Sequence, residues 1–224
     1  MKRSEINQAI FEAIKFFKTQ NFKLTKWAYW KPEEWKNKGE LVKEIIENRL
    51  GWDITDFSSG NFEKVGLINF NLRNGILNKP GKNYCEKIII VKENQVTPLH
   101  THRIKVEDII NRGGGNLVLK LYVSDDNFNL TNKSVTVKID SIPVTVLSGG
   151  TIILEPGDSI YLEPGVFHEF FGEEGKGSVL VGEVSSVNDD NTDNIFHEDR
   201  HRFPEIIEDE EPAYLLVNDY DKYI

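Results

Sequence analysis

Leu99-His100-Thr101-His102-Arg103-Ile104-Lys105-Val106-Glu107 sets two histidines at i and i+2 and a carboxylate shortly after them. Residues at i and i+2 of a strand share a face, their Cα atoms ~6.6 Å apart along the chain. Both imidazoles can therefore reach one ion at ~2.1 Å. A third imidazole is available from the distant His168, set between Pro164-Gly165 and Phe170. Three nitrogens with one oxygen from Glu107 would leave positions open on an octahedral divalent metal, and open positions are where a bound substrate can be activated. His102 and Glu107 differ in parity, so a turn or bulge must intervene before both can face inward.

Outward from this stretch the texture is β. The runs Val65 to Leu72, Lys87 to Lys92, Leu117 to Ser124, Val135 to Ile139, Thr151 to Leu154, Ser159 to Leu162 and Val179 to Val184 alternate with clusters of Gly, Pro, Asn and Asp, the punctuation of short antiparallel strands. No long helical pattern interrupts them, which disfavours a doubly wound parallel sheet. Two helices are predicted ahead of them. Ile6, Ile10, Ala13, Ile14 and Phe17 recur at helical spacing; Lys31-Pro32-Glu33-Glu34 has the proline and acids of a helix start, and Gly51 suits its end. The expected division is a helical extension over 1–51 packed on a barrel over 52–224. The acidic segment Glu205 to Glu211 reads as a solvated loop before a last strand around Tyr214 to Val217.

Composition excludes several function classes. The chain has 224 residues, enough for one domain with a sizeable core. Lys and Arg number 27 against 36 Asp and Glu, a net charge of -9, which repels nucleic acid and anionic membrane surfaces. Cys85 is the single cysteine, so no intrachain disulfide can form; it reads as a packing residue. The start Met1-Lys2-Arg3-Ser4-Glu5 runs into a charged amphipathic stretch, and no apolar run approaches the ~20 residues of a membrane span. The expected location is the cytoplasm. Gly113-Gly114-Gly115 lacks a following lysine and helix, so it reads as a tight connection and not a phosphate cradle.

The order Asn94, His100-Thr101-His102, Glu107, Gly114, then Gly157, Gly165, His168 resembles the two signature motifs of the cupin superfamily. That resemblance implies a mainly β fold, a double-stranded β-helix or jelly-roll barrel, here with two N-terminal helices, and a metal held by His100, His102, Glu107 and His168. The family's first glycine is Asn94 here, its proline is shifted to Pro164, and its trailing asparagine is Gly172; none of these positions is a ligand, and asparagine tolerates the left-handed conformation.

Longer strings are more specific. Tyr84-Cys85-Glu86-Lys87-Ile88, Val96-Thr97-Pro98, Glu107 to Asn116 and Gly182 to Asn194 are similar to those of bacterial D-lyxose isomerases over nearly the whole chain. The resemblance implies a metal-dependent aldose–ketose isomerase that interconverts D-lyxose and D-xylulose, with D-mannose and D-fructose as a second pair and manganese(II) as the usual ion. A homodimer is expected from the same resemblance. Isomerisation moves a proton between carbons 1 and 2 through an enediolate, which needs a cation across both oxygens and a base near neutral pH. Lys87, Glu183 and Asp189 are the candidate catalytic groups, with Lys87 favoured as a charge that neutralises the enediolate. Asp190, Asp193, Arg200 and Phe203 are candidates for binding the sugar, with Arg202 beside them. His197 and His201 read as exposed loop histidines. An iron-dependent cupin dioxygenase would use the same ligands in an apolar cavity, and a metal-dependent sugar sensor would bind without turnover; the polar candidates here suit a polyol and its conversion.

Overall fold

In the computed structural model, which describes residues 1–224, thirteen strands form two antiparallel sheets. The strands are β1 (Gly51–Thr55), β2 (Leu67–Arg73), β3 (Tyr84–Val91), β4 (Thr97–His102), β5 (Glu107–Gly114), β6 (Leu117–Val123), β7 (Val135–Ile139), β8 (Ile142–Val146), β9 (Thr151–Leu154), β10 (Ser159–Leu162), β11 (Val166–Gly172), β12 (Val179–Ser186) and β13 (Asn194–Phe196). The larger sheet runs β1-β2-β3-β12-β5-β10-β7-β8 and the smaller β13-β4-β11-β6-β9. This is the jelly-roll architecture expected of a cupin.

Alternation along the strands builds the interior. Leu117, Leu119 and Leu121 point from the smaller sheet toward Ile109, Val135, Val137, Ile160 and Val181 of the larger one, all of them buried. The uninterrupted run Ile88-Ile89-Ile90-Val91 is apolar on both faces because both are covered. Ile89 and Val91 join the barrel core, whereas Ile88 and Ile90 pack outward beneath helix α1 (Arg3–Thr19). That helix presents Ile6, Ala9, Ile10, Ala13 and Phe17 to the sheet, each at most 3% exposed, the i, i+3, i+4 stripe of a core-facing helix. Burying each large side chain contributes about 1.5–3 kcal/mol as an upper estimate.

The second predicted helix is broken into pieces: α2 (Pro32–Trp35), a 3-10 turn Gly39–Val42, and α3 (Lys43–Glu47). Asn37 and Gly39 both have positive φ, 62° and 48°, which no right-handed helix can incorporate. Nor does Gly51 cap a helix. It opens β1 at φ 127°, where a Cβ would collide with the Tyr220 hydroxyl, while Arg49 takes the left-handed turn at φ 52°. Asn94 sits at φ 55°, as its place in the motif requires.

Around Tyr214 to Val217 the chain makes only a single parallel bridge, Leu216 to Trp52, and then enters a short helix α4 (Tyr220–Tyr223). The acidic segment is not merely solvated. Glu208 and Asp219 both make two-pronged ion pairs with the fully buried Arg3, at 2.8 to 2.9 Å, and Asp209 accepts from the Ser4 backbone N–H at 2.9 Å. Carboxylates belong beside the positive end of a helix, and these fasten α1 to the chain's last segment. No helix is long and apolar enough to cross a membrane.

Candidate metal centre

His100 and His102 lie on β4, and His168, directly opposite His100 in the register, lies on the neighbouring β11. Their ligand atoms fall within 4.8 Å of one another. Glu107 arrives from the other sheet. β4 ends at His102, residues 103–106 turn, and β5 begins at Glu107, so the parity mismatch disappears because the two residues belong to different strands. Its Oε1 lies 3.0 Å from His168 Nε2 and 3.4 Å from His102 Nε2.

Tautomers follow from the neighbours. His100 Nδ1 is 2.7 Å from the Pro98 carbonyl and His168 Nδ1 is 3.2 Å from the Val166 carbonyl. A carbonyl can only accept, so each Nδ1 carries the proton and each Nε2 points its lone pair into the site. His102 Nε2, His168 Nε2 and Glu107 Oε1 are buried without a hydrogen-bond partner. His168 Nε2 and Glu107 Oε1 are therefore two acceptors 3.0 Å apart, repulsive inside a protein unless a cation stands between them. Burial, and then the neighbouring imidazoles His168 and His102, hold His100 well below the usual histidine range; burial and the charge of Lys105 also lower His102. Neutral imidazoles and an ionised carboxylate are the forms that ligate metal, and this donor set fits a divalent cation.

Behind the three histidines and Glu107 runs a chain of buried charges. Lys105 Nζ sits 2.8 Å from Glu107 Oε2 and 2.8 Å from Glu183 Oε1, and Lys87 Nζ sits 3.1 Å from Glu183 Oε1. Asn188 Oδ1 accepts from Lys87 at 2.9 Å. Burial works against the Lys105 charge, but Glu107 and Glu183 override it and raise the ammonium above its ordinary value. Burial works against the Glu183 carboxylate as well, and the two lysines hold it below the ordinary range. The pairing register explains the meeting: Lys87 on β3 lies opposite Glu183 on β12, with Ile109 on the far side of Glu183.

The other candidates separate by location. Asp190 lines the metal cavity with Arg202, whose Nε is 3.3 Å from Asp190 and whose other nitrogens grip Asp53 of β1. Asp193 does not line it. Its carboxylate accepts from the Ile104 and Lys105 backbone N–H groups at 2.9 and 3.3 Å and stands 3.6 Å from His102 Nδ1, so it shapes the turn behind the His102 ring. Asp189 bonds Asn191 N and Thr192 Oγ1 within its own loop and, with Phe203, borders a separate hollow of about 550 Å3. Arg200 pairs with Glu198 outside the cavity, and His197 and His201 are exposed. Lys105, Asn188 and Asp53 escaped the sequence reading. Lys105 alone carried a signal, its place between the histidine pair and Glu107; the others meet the site only through pairings remote in the chain.

A family profile described as D-lyxose isomerase matches residues 1–220. A D-lyxose/D-mannose isomerase from Serratia proteamaculans is 43% identical over 230 residues, and one from Escherichia coli O157:H7 is 42% identical over 226, each alignment covering all of both chains. Among solved structures, the fold is similar to that of L-ribose isomerase from Acinetobacter sp. DL28, with a TM-score of 0.59 and 16% identity over 89% of this chain and 93% of that one. The Cellulomonas parahominis L-ribose isomerase aligns with a TM-score of 0.58 and 14% identity, over 90% and 95%. At that identity the likeness speaks to fold alone, whereas the full-length matches settle descent: this chain is an enzyme of the D-lyxose isomerase family.

Proposed function

We propose that the protein interconverts D-lyxose and D-xylulose, and D-mannose and D-fructose, with manganese(II) held by His100, His102, Glu107 and His168. The observation that carries this reading is the convergence of unpartnered acceptors on one point, next to a buried line of lysine and glutamate side chains. When bound, the cation would polarise the sugar carbonyl and stabilise enediolate charge as a Lewis acid. In this reading Glu183, which contacts Lys87, Lys105 and the Ser185 hydroxyl, carries the proton between carbons 1 and 2. Lys105, kept protonated between two carboxylates, supplies a fixed positive charge and a donor for a sugar oxygen, and Lys87 does the same from the β3 side. Arg202 and Asp190 offer a donor and an acceptor to the remaining hydroxyls.

The cavity's polar lining favours a polyol over the apolar or aromatic substrate of an oxygenase. A homodimer is the proposed assembly, supported by the free outer edge of β8, beside which Ile142 and Leu147 are 67% and 77% exposed. The functional test incubates metal-stripped protein with D-lyxose or D-mannose, with and without manganese, in the absence of oxygen. Ketose formation restored by manganese is expected; metal binding without turnover of either sugar would sink the assignment.

A further inference from the structure

We infer that the Thr97 hydroxyl is a sugar-binding group of the metal cavity, exchanging a hydrogen bond with a hydroxyl of the bound monosaccharide. This rests on the isomerase reading. Thr97 lines the same cavity as the three histidines, is 4% exposed, and its Oγ1 has no hydrogen-bond partner. The other threonine of β4 is satisfied within the protein, since the Thr101 hydroxyl accepts from the Gly165 backbone N–H at 3.0 Å.

A break in the strand pairing brings Thr97 inward. Strict alternation from His102 and His100 would turn Pro98 toward the cavity and Thr97 away from it. β4 and β11, however, pair His100 with His168 and Thr97 with Phe170, so three steps along β4 match two along β11. One extra residue of this kind is a bulge, which re-aims the side chains beyond it. The surroundings favour an apolar residue at this place. On the other strands that bring Lys87, Glu107 and His168 inward, the next residue on the same face is Ile89, Ile109 and Phe170, and all three line the cavity. Valine has nearly the shape of threonine and would complete that layer, whereas a buried hydroxyl without a partner is costly. The charged groups of the cavity are already engaged, Lys87 and Lys105 with Glu183 and Asp190 with Arg202. A threonine hydroxyl both donates and accepts, and a sugar hydroxyl is its complement. Water can offer the same exchange in the free protein, so the gain on sugar binding is the modest net worth of one neutral hydrogen bond.

Thr97→Val removes the hydroxyl and keeps the shape; Thr97→Ser keeps the hydroxyl and loses the methyl group. In manganese-loaded protein, Thr97→Val should raise KM for D-lyxose about 3–10-fold and change kcat much less, because the bond is present in ground and transition states alike. Calorimetric titration with D-mannitol, a polyol with no carbonyl to isomerise, should show Kd weakened by a similar factor. Thr97→Ser should stay within about twofold of the parent in both measurements. Manganese affinity, titrated into metal-stripped protein, should be the same in all three, which separates a contact to the sugar from a disturbed metal site. Thr97→Val protein that binds D-lyxose and D-mannitol as the parent does overturns the inference. So does an equal loss in Thr97→Ser, which would trace the effect to the methyl group, or a fall in manganese affinity that matches the fall in sugar binding. Parent protein that binds D-mannitol and turns over neither sugar would instead count against the isomerase reading, and the D-mannitol titrations of the two variants still judge Thr97.

Discussion

Lys105→Met should unbalance the centre of the site. The ammonium stands 2.8 Å from carboxylate oxygens of both Glu107 and Glu183 and is 2% exposed. At an effective dielectric of about 20, each contact has ~6 kcal/mol of gross attraction, most of it offset by the cost of burying the charges. The net loss on removing one partner of such a buried group is ~3–5 kcal/mol, because the partners left behind are uncompensated. For a chain of this size 1 kcal/mol moves Tm by about 2–4 °C, so metal-stripped Lys105→Met protein should melt roughly 6–20 °C below the parent. Glu107 would then lack its competing cation, and manganese should raise Tm more in the variant than in the parent. At a hundred times Kd the linkage contribution alone is ~2.7 kcal/mol. Turnover of D-lyxose should fall on the order of 10²–10³, the usual cost of removing one donor aimed at developing charge. Calorimetry with and without manganese, alongside ketose assays, reads all three. A metal-free Tm within about 2 °C of the parent, together with an equal manganese response, would refute the claim that Lys105 balances both carboxylates.

Asp193→Ala removes the carboxylate behind His102 and should weaken manganese binding ~10–100-fold, as loss of a supporting group behind a ligand does; titration of metal-stripped protein measures it. The Arg3 clamp carries a pH signature. The Arg3 hydrogen bonds hold the Glu208 carboxyl down at about 2, so its stabilisation is complete above the ordinary carboxylate value of ~4.3 and fades as pH falls toward 2. Arg3→Met, which leaves Asp219 buried without its partner, should cost ~3–5 kcal/mol at neutral pH. Urea titrations from pH 7 down to 3 should show the gap narrowing below about pH 5; a constant gap would count against the ion pair as its source. Gly51→Ala should destabilise by roughly 1–3 kcal/mol from backbone strain, with the Tyr220 hydroxyl collision added, and Tyr220→Phe should recover part of it in urea unfolding.

Much of the frame could be read from residues in order. Val135–Ile139, Thr151–Leu154 and Ser159–Leu162 are strands with the boundaries their patterning predicts, because apolar alternation bounded by turn residues is a local property. That His100 and His102 share a face was legible for a similar reason, since a strand's period of two ties them without reference to anything else, whereas Glu107 and His168 join them only through the turn at residues 103–106 and the pairing of β4 with β11. β5 and β13 were hidden. Asp108, Asn111 and Arg112 interrupt the apolar pattern of β5, which is nonetheless held centrally between β12 and β10, and β13 is a three-residue strand pinned to β4. The lone second helix was an error of the same kind in reverse, since apolar spacing carries no sign of the positive φ at Asn37 and Gly39.

Residues read in order are enough to find which groups are available for chemistry: imidazoles at ligand spacing, a carboxylate beyond them, and a β framework to hold them. Which charges meet is set by packing in three dimensions. Lys105 joins Glu183 across 78 positions, and Arg202 joins Asp53 across 149. Such pairings depend on sheet order and loop path, which arise from packing the whole core, and no local pattern encodes them. Their cost when unpaired is nonetheless what makes the site specific, since buried charges are tolerated only where the fold supplies each with its partner.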